Sequence, residues 1–201
     1  MGLLKKIMKT INTDYVLNNI NLKVKNTKET PREILETVSP SIDNIPISGG
    51  WGYTKDDCVI INKDNSSVEP IQGDFFSSKS EPFDGVSFEY FFVEKRIYLE
   101  LITFRNPGEK YHGIEWQQLE QNLVANNNRY YDHLRYLVKC HIDKGWDDLV
   151  KKYQENNLFE DDPKGLENHH KERDKLLCCY KTDYWFDITS SFPFKTNSLK
   201  V

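Results

Sequence analysis

Residues 86–104, VSFEYFFVEKRIYLELITF, are the clearest element in the chain, and what they form decides the architecture. Val86, Phe88 and Tyr90 alternate with Ser87 and Glu89, and Ile97, Leu99 and Leu101 alternate with Tyr98, Glu100 and Ile102. Alternation of this kind marks a strand with one buried face. The charged run Glu94-Lys95-Arg96 falls between the two halves. The sequence therefore predicts a hairpin with a charged tip, with one long strand as the alternative.

Other signals place helices around this hairpin. Thr30-Pro31-Arg32-Glu33 has the residues of a capping box with proline at the first helical position, so a helix opens there and ends at Ser39-Pro40. Cys58-Val59-Ile60-Ile61 reads as a short buried strand. From Ile114 the apolar spacing turns helical: Trp116, Leu119 and Leu123 share one stripe, and Tyr130, Leu134, Leu137 and His141 continue it past Asn126-Asn127-Asn128. A shorter helix is expected over Trp146–Tyr153 and a last one around Leu166–Tyr180. Tyr184–Ile188 reads as a closing strand. Strands early and late with helices between them give an α+β fold: a small antiparallel sheet with a central hairpin, packed against several helices. The 201 residues suit a single domain, 1–201, with a basic arm at 1–28 and a loose tail at 193–201. Residues 3–11 read as a short basic amphipathic helix, Asn21–Lys25 as a short strand or linker, and 62–85 as a long surface excursion.

Charge narrows the function. Residues 1–28 carry six lysines and one acid, a formal +5, within a chain whose net charge is −4; the other 173 residues therefore carry −9. An acidic body disfavours duplex nucleic acid and suits a basic protein partner. No apolar run approaches the roughly 18–20 residues of a membrane span, and the N-terminus lacks the apolar core of a secretory signal. Cys58, Cys140, Cys178 and Cys179 form no C-x-x-C pair, which fits reduced thiols in a cytoplasmic protein.

The stretch Ser48–Asp57, SGGWGYTKDD, concentrates three glycines, two large aromatics and paired acids. It lacks the Gly-Lys-Ser/Thr of a phosphate loop and leads into a strand rather than a helix. Two readings remain for Trp51 and Tyr53: they cap the edge of the core, or they anchor a partner, with Asp56 and Asp57 as steering charges. The partner-binding set is thus Trp51, Tyr53, Asp56 and Asp57. The five histidines fall into no metal-ligand spacing, and no cofactor fingerprint occurs. The remaining chemical candidate is His112, a loop histidine close to Glu109 and Glu115, which could serve as a general base.

In overall character and in its SGGWGYTKDD stretch, the chain resembles the immunity proteins that neutralise bacterial contact-dependent or polymorphic toxins. That resemblance implies a cytosolic, non-enzymatic protein that binds a basic toxin domain through an acidic surface. It transfers no fold and no residue roles. The alternative is a small hydrolase or nuclease-like enzyme using His112 and nearby carboxylates.

Overall fold

The structure, a computed structural model, describes residues 20–24, 27–39, 45–62 and 85–190. Helix α1, Pro31–Val38, starts where the capping box places it: the Glu33 amide donates to Thr30 Oγ1 and the Thr30 amide donates to Glu33 Oε2. Its Ile34 and Leu35 are buried. Strands β1, Ile47–Gly49, and β2, Val59–Ile61, pair antiparallel around the glycine loop.

Residues 86–104 form no hairpin. They are helix α2, Gly85–Tyr98, which runs directly into a π-helical turn at Leu99–Thr103. Phe88, Phe92, Arg96 and Glu100 are all buried at intervals of four, the spacing of one helix face. The alternation was carried by residues of high β-propensity, and part of it is not inward-facing at all: Val86, Tyr90 and Tyr98 are exposed. The decisive missing signal is the turn. No Gly, Pro, Asn or Asp lies between residues 86 and 104 to supply the positive φ of a tight hairpin.

The hairpin lies instead where helices were expected. Strand β3, Tyr111–Asn126, and strand β4, Arg129–Ile142, pair antiparallel along nearly their whole length. Asn127 and Asn128 both have positive φ, 49° and 62°, the condition of a two-residue type I′ turn. The asparagine run that the expected helical stripe had to pass thus holds the turn. After β4 come α3, Trp146–Glu155, and α4, Pro163–Asp174, joined by a salt bridge between Lys152 and Glu172. The last predicted helix is split: α4 stops at Asp174, and Leu177–Tyr180 already belongs to strand β5, Leu177–Asp187. Cys178 and Cys179 therefore lie on a strand, and all four cysteines are free and buried.

The sheet order is β1-β2-β5-β4-β3. It is mixed: β2 and β5 run parallel, and every other pairing is antiparallel. Helix α2 covers one face, where Phe92 meets Phe186 edge-on with centroids 5.7 Å apart, and Leu134, Val138, Tyr180 and Tyr184 complete the core. This is an α+β fold, as expected. Residues 21–24 form no strand, and Val24 packs into the core. The basic helix expected at 3–11, nearly all of the 62–85 excursion and the tail after Pro193 lie outside the described residues. No helix among those described is long and apolar enough to cross a membrane.

Candidate protein-binding surface

The glycine loop packs against the sheet and α2. Gly49 has φ +83°, and a Cβ there would stand 2.4 Å from the Cys58 carbonyl oxygen. Gly52 has φ +74°, and its carbonyl accepts the Trp185 amide at 2.9 Å. The glycines thus permit a tight turn pressed onto β5. Trp51 is turned inward, 5% exposed, with its ring 6.1 Å from Phe92. Asp57 Oδ2 accepts the Trp51 amide at 3.2 Å, so that acid is occupied in holding the turn. Tyr53 is half-buried and its hydroxyl donates to Glu100 Oε1 at 2.5 Å. Asp56 is exposed. The four residues read as a partner-binding set share one loop, in which Trp51 is buried and Asp57 is tied to the Trp51 amide.

Beneath the loop lies a buried polar network that the sequence did not announce. Arg96 is completely buried. It donates to the Trp51 carbonyl at 2.7 Å, to Thr182 Oγ1 at 2.6 Å and to the Asp183 carbonyl at 2.7 Å. Its guanidinium lies over the Tyr184 ring at 3.4 Å and the Tyr53 ring at 4.2 Å. Glu100, one turn on, faces Arg96 Nε at 3.2 Å and accepts from the Tyr180 hydroxyl at 3.1 Å. Burial pushes the Glu100 carboxyl above its ordinary range, against the pull of Arg96 and the two hydroxyls. Burial, reinforced by Glu100, pushes the Tyr53 hydroxyl far upward as well. The network ties the glycine loop, α2 and β5 into one unit.

His112 sits at the start of β3, where its Nε2 pairs with Asp143 Oδ1 and its ring stacks on Trp146 at 5.6 Å and 3°. The nearby carboxylate partner is thus Asp143, not Glu109 or Glu115. Glu109 instead pairs with Lys23 at 2.8 Å. Across the hairpin from His112 stands His141, whose pKa is lowered from 6.5 by burial and by the Arg173 charge. Among the described residues, His112 has no hydrogen bond to a Ser, Thr or Cys side chain, and no group of His, Cys, Asp and Glu is arranged to hold a metal. On the sheet face away from α2, His133 stacks on Trp185 with centroids 4.1 Å apart. His133 and Arg135 both bond Asp183 Oδ1, at 2.8 Å each. Burial opposes the Asp183 charge, yet these two bonds hold its carboxyl below the usual aspartate value.

Among the elements described, β3 is the longest, and none of its residues is buried. It forms one edge of the sheet, and among the described residues no strand pairs with its outer side. Trp116 and Leu119 are more than a third exposed and Leu123 is 55% exposed. Trp116 meets the exposed Tyr98 of α2 edge-on at 5.9 Å, which puts it on the helix side of the sheet. Gln118 and Gln121 bond Tyr136 and Asp132 on that side, and Leu123 stands opposite Asp132. Glu115, opposite Lys139, and Glu120, opposite Arg135, lie on the other side. The strand contains no Lys, Arg or Pro, the residues that commonly blunt an exposed edge. Two register shifts, between His112 and Glu115 and between Gln118 and Glu120, interrupt an otherwise long template.

Comparisons with protein families, with characterised proteins and with solved structures found no match to this chain.

Proposed function

We propose that the chain is a non-enzymatic protein-binding module of the immunity type, acting in the cytoplasm on a basic bacterial toxin domain. The single observation that carries the protein-binding reading is β3: a long edge strand that leaves Trp116, Leu119 and Leu123 in solvent and has no blunting lysine or proline. Surface acids such as Glu115 and Asp56, within a body whose formal charge is −9 outside residues 1–28, favour a basic partner and speed its approach. Trp116 would supply a desolvated anchor, with Leu119 and Leu123 excluding water around it.

The test is quantitative affinity capture with the tagged chain and with its Trp116→Ser/Leu123→Ser variant, from the cell that expresses it. The expected result is at least one protein of strongly basic composition retained by the wild type and lost by the folded variant. Identical partners in both would refute the reading.

A second reading rests on the His112–Asp143 pair, an arrangement that can orient an imidazole as a general base in a hydrolase or nuclease-like reaction. Turnover of an ester or phosphodiester by the wild type, abolished by His112→Ala, would establish it.

A further inference from the structure

Strand addition needs a free sheet edge, and among the described residues β3 supplies one of unusual length. It runs for 16 residues, against a mode of about 5–6 in globular proteins. Every second residue of a strand points to the same face, and residues directly opposite each other in neighbouring strands share a face. The two faces of β3 differ in character. Trp116 and Leu123 stand on the helix side beside exposed Tyr98, whereas Glu115 and Glu120 stand on the other. A strand laid against this edge would meet apolar groups at one set of alternate positions and, at the other, the Glu115 carboxylate and a Glu120 carboxylate that already faces Arg135 of β4 at 3.4 Å.

We propose that the outer edge of β3 takes up an extended segment of the partner protein as a sixth strand, with alternating apolar and Lys/Arg side chains. The proposal deepens the protein-binding reading and rests on it. The apolar positions of the incoming segment cover Trp116 and Leu123. Its basic positions face Glu115 and Glu120. Main-chain hydrogen bonds to the unpaired edge supply affinity that is independent of sequence, and the two alternating side-chain sets supply specificity. The register shift between Gln118 and Glu120 separates Glu115 and Trp116 from Glu120 and Leu123, so the segment crosses it as β4 does, taking one step where β3 takes two.

A second copy of this chain is the poorer occupant on charge. Pairing β3 with β3 of another molecule brings Glu115 and Glu120 of both copies to that edge; Lys139 and Arg135 of each β4 lie opposite them on the inner side, but neither β3 adds a Lys or Arg of its own.

The test uses the full chain and an acetylated, amidated peptide of about ten residues that alternates Lys with Val or Thr. Three companions accompany it: one with Glu for every Lys, one of scrambled order, and one N-methylated on the amides of a single edge. Binding is read by fluorescence anisotropy and by slowed hydrogen exchange of β3 amides. The expected result is that the basic alternating peptide binds and slows exchange in β3, while the acidic, scrambled and N-methylated peptides each bind at least about tenfold more weakly. Glu115→Lys/Glu120→Lys is expected to reverse the preference between the basic and acidic peptides. Both positions are exposed, so the variant is expected to keep the fold, and its circular dichroism checks this.

Equal binding of the basic and N-methylated peptides would overturn strand addition, because it would leave only charge attraction. Failure of the basic peptide to bind would also overturn it. So would a concentration-dependent dimer abolished by Leu123→Lys, which would assign the edge to a second copy. If partner capture depends on Trp116 and Leu123 while every peptide fails, the protein-binding reading stands and only the strand mode falls.

Discussion

Arg96→Met is the sharpest perturbation of the fold that carries β3. Methionine fills much of the arginine stem and removes the guanidinium. The Trp51 and Asp183 carbonyls and Thr182 Oγ1 then lose their donor, and buried Glu100 loses its counter-charge. A buried acceptor left without a partner costs about 1–3 kcal/mol, and breaking one side of a buried ion pair costs about 3–5 kcal/mol. These costs overlap, because they describe the same desolvated groups, and the Thr182 hydroxyl can rotate to a new partner. The expected loss is about 4–5 kcal/mol, a third or more of the stability of an ordinary domain. At roughly 2–4 °C per kcal/mol for a chain of this size, melting should fall by about 8–20 °C. Arg96→Met/Glu100→Leu removes both charges, so it should cost less than the sum of the single variants, with a coupling of about 1–3 kcal/mol. The measurement is urea unfolding of wild type, both single variants and the double variant. A loss below about 1 kcal/mol in Arg96→Met, or strict additivity in the cycle, would refute the claim that this network clamps the loop, α2 and β5.

Trp51→Ala should lower stability by about 3–5 kcal/mol in thermal melts, because its ring is buried against Phe92; unchanged stability would mean the ring is free to meet a partner. Lys95→Pro separates helix from hairpin at residues 86–104. In the interior of α2 it should cost about 3 kcal/mol or more by chemical denaturation, whereas a hairpin tip would tolerate it. Stability should also depend on pH through His141. Its folded pKa is depressed below 6.5, so its contribution is full above that value and is lost as pH falls through it. His141→Gln should therefore flatten the stability profile between about pH 6.5 and the lower folded pKa, and an unchanged slope there would rule His141 out as the source.

What was legible in the sequence depended on whether local chemistry or tertiary context decided each element. The α1 boundary was legible because Thr30, Pro31 and Glu33 fix a helix start by bonds within four residues. Strand β2 was legible from its β-branched run, and α3 from its apolar spacing. The α+β class followed from these and from the closing strand. Residues 86–104 misled because aromatic and β-branched residues dominate them. Their helix is held by contacts remote in sequence, including Arg96 with Thr182 and Glu100 with Tyr180. No spacing in the sequence reveals that an arginine and a glutamate will be buried together. The turn chemistry did carry a signal in both places: its absence at Glu94-Lys95-Arg96 and its presence at Asn127-Asn128.

The residue pattern of β3 bears on the proposed surface itself. A strand betrays itself in sequence when one face is buried, since burial selects apolar residues at every second position. β4 and β5 are inner strands of the sheet, and one face of each lines the core. Among the described residues no strand lies on the outer side of β3, and most of its residues are exposed on both faces. The described core therefore does not impose period two on it. The apolar residues it does carry, Trp116, Leu119 and Leu123, fall three and four apart and imitate a helix stripe. Packing within the chain requires none of the three to be fully buried, yet all three are large and apolar. A strand whose composition the core does not explain is one on which an external partner can act as the selecting environment. The same exposure that made β3 hard to read as a strand is the reason to look for its partner there.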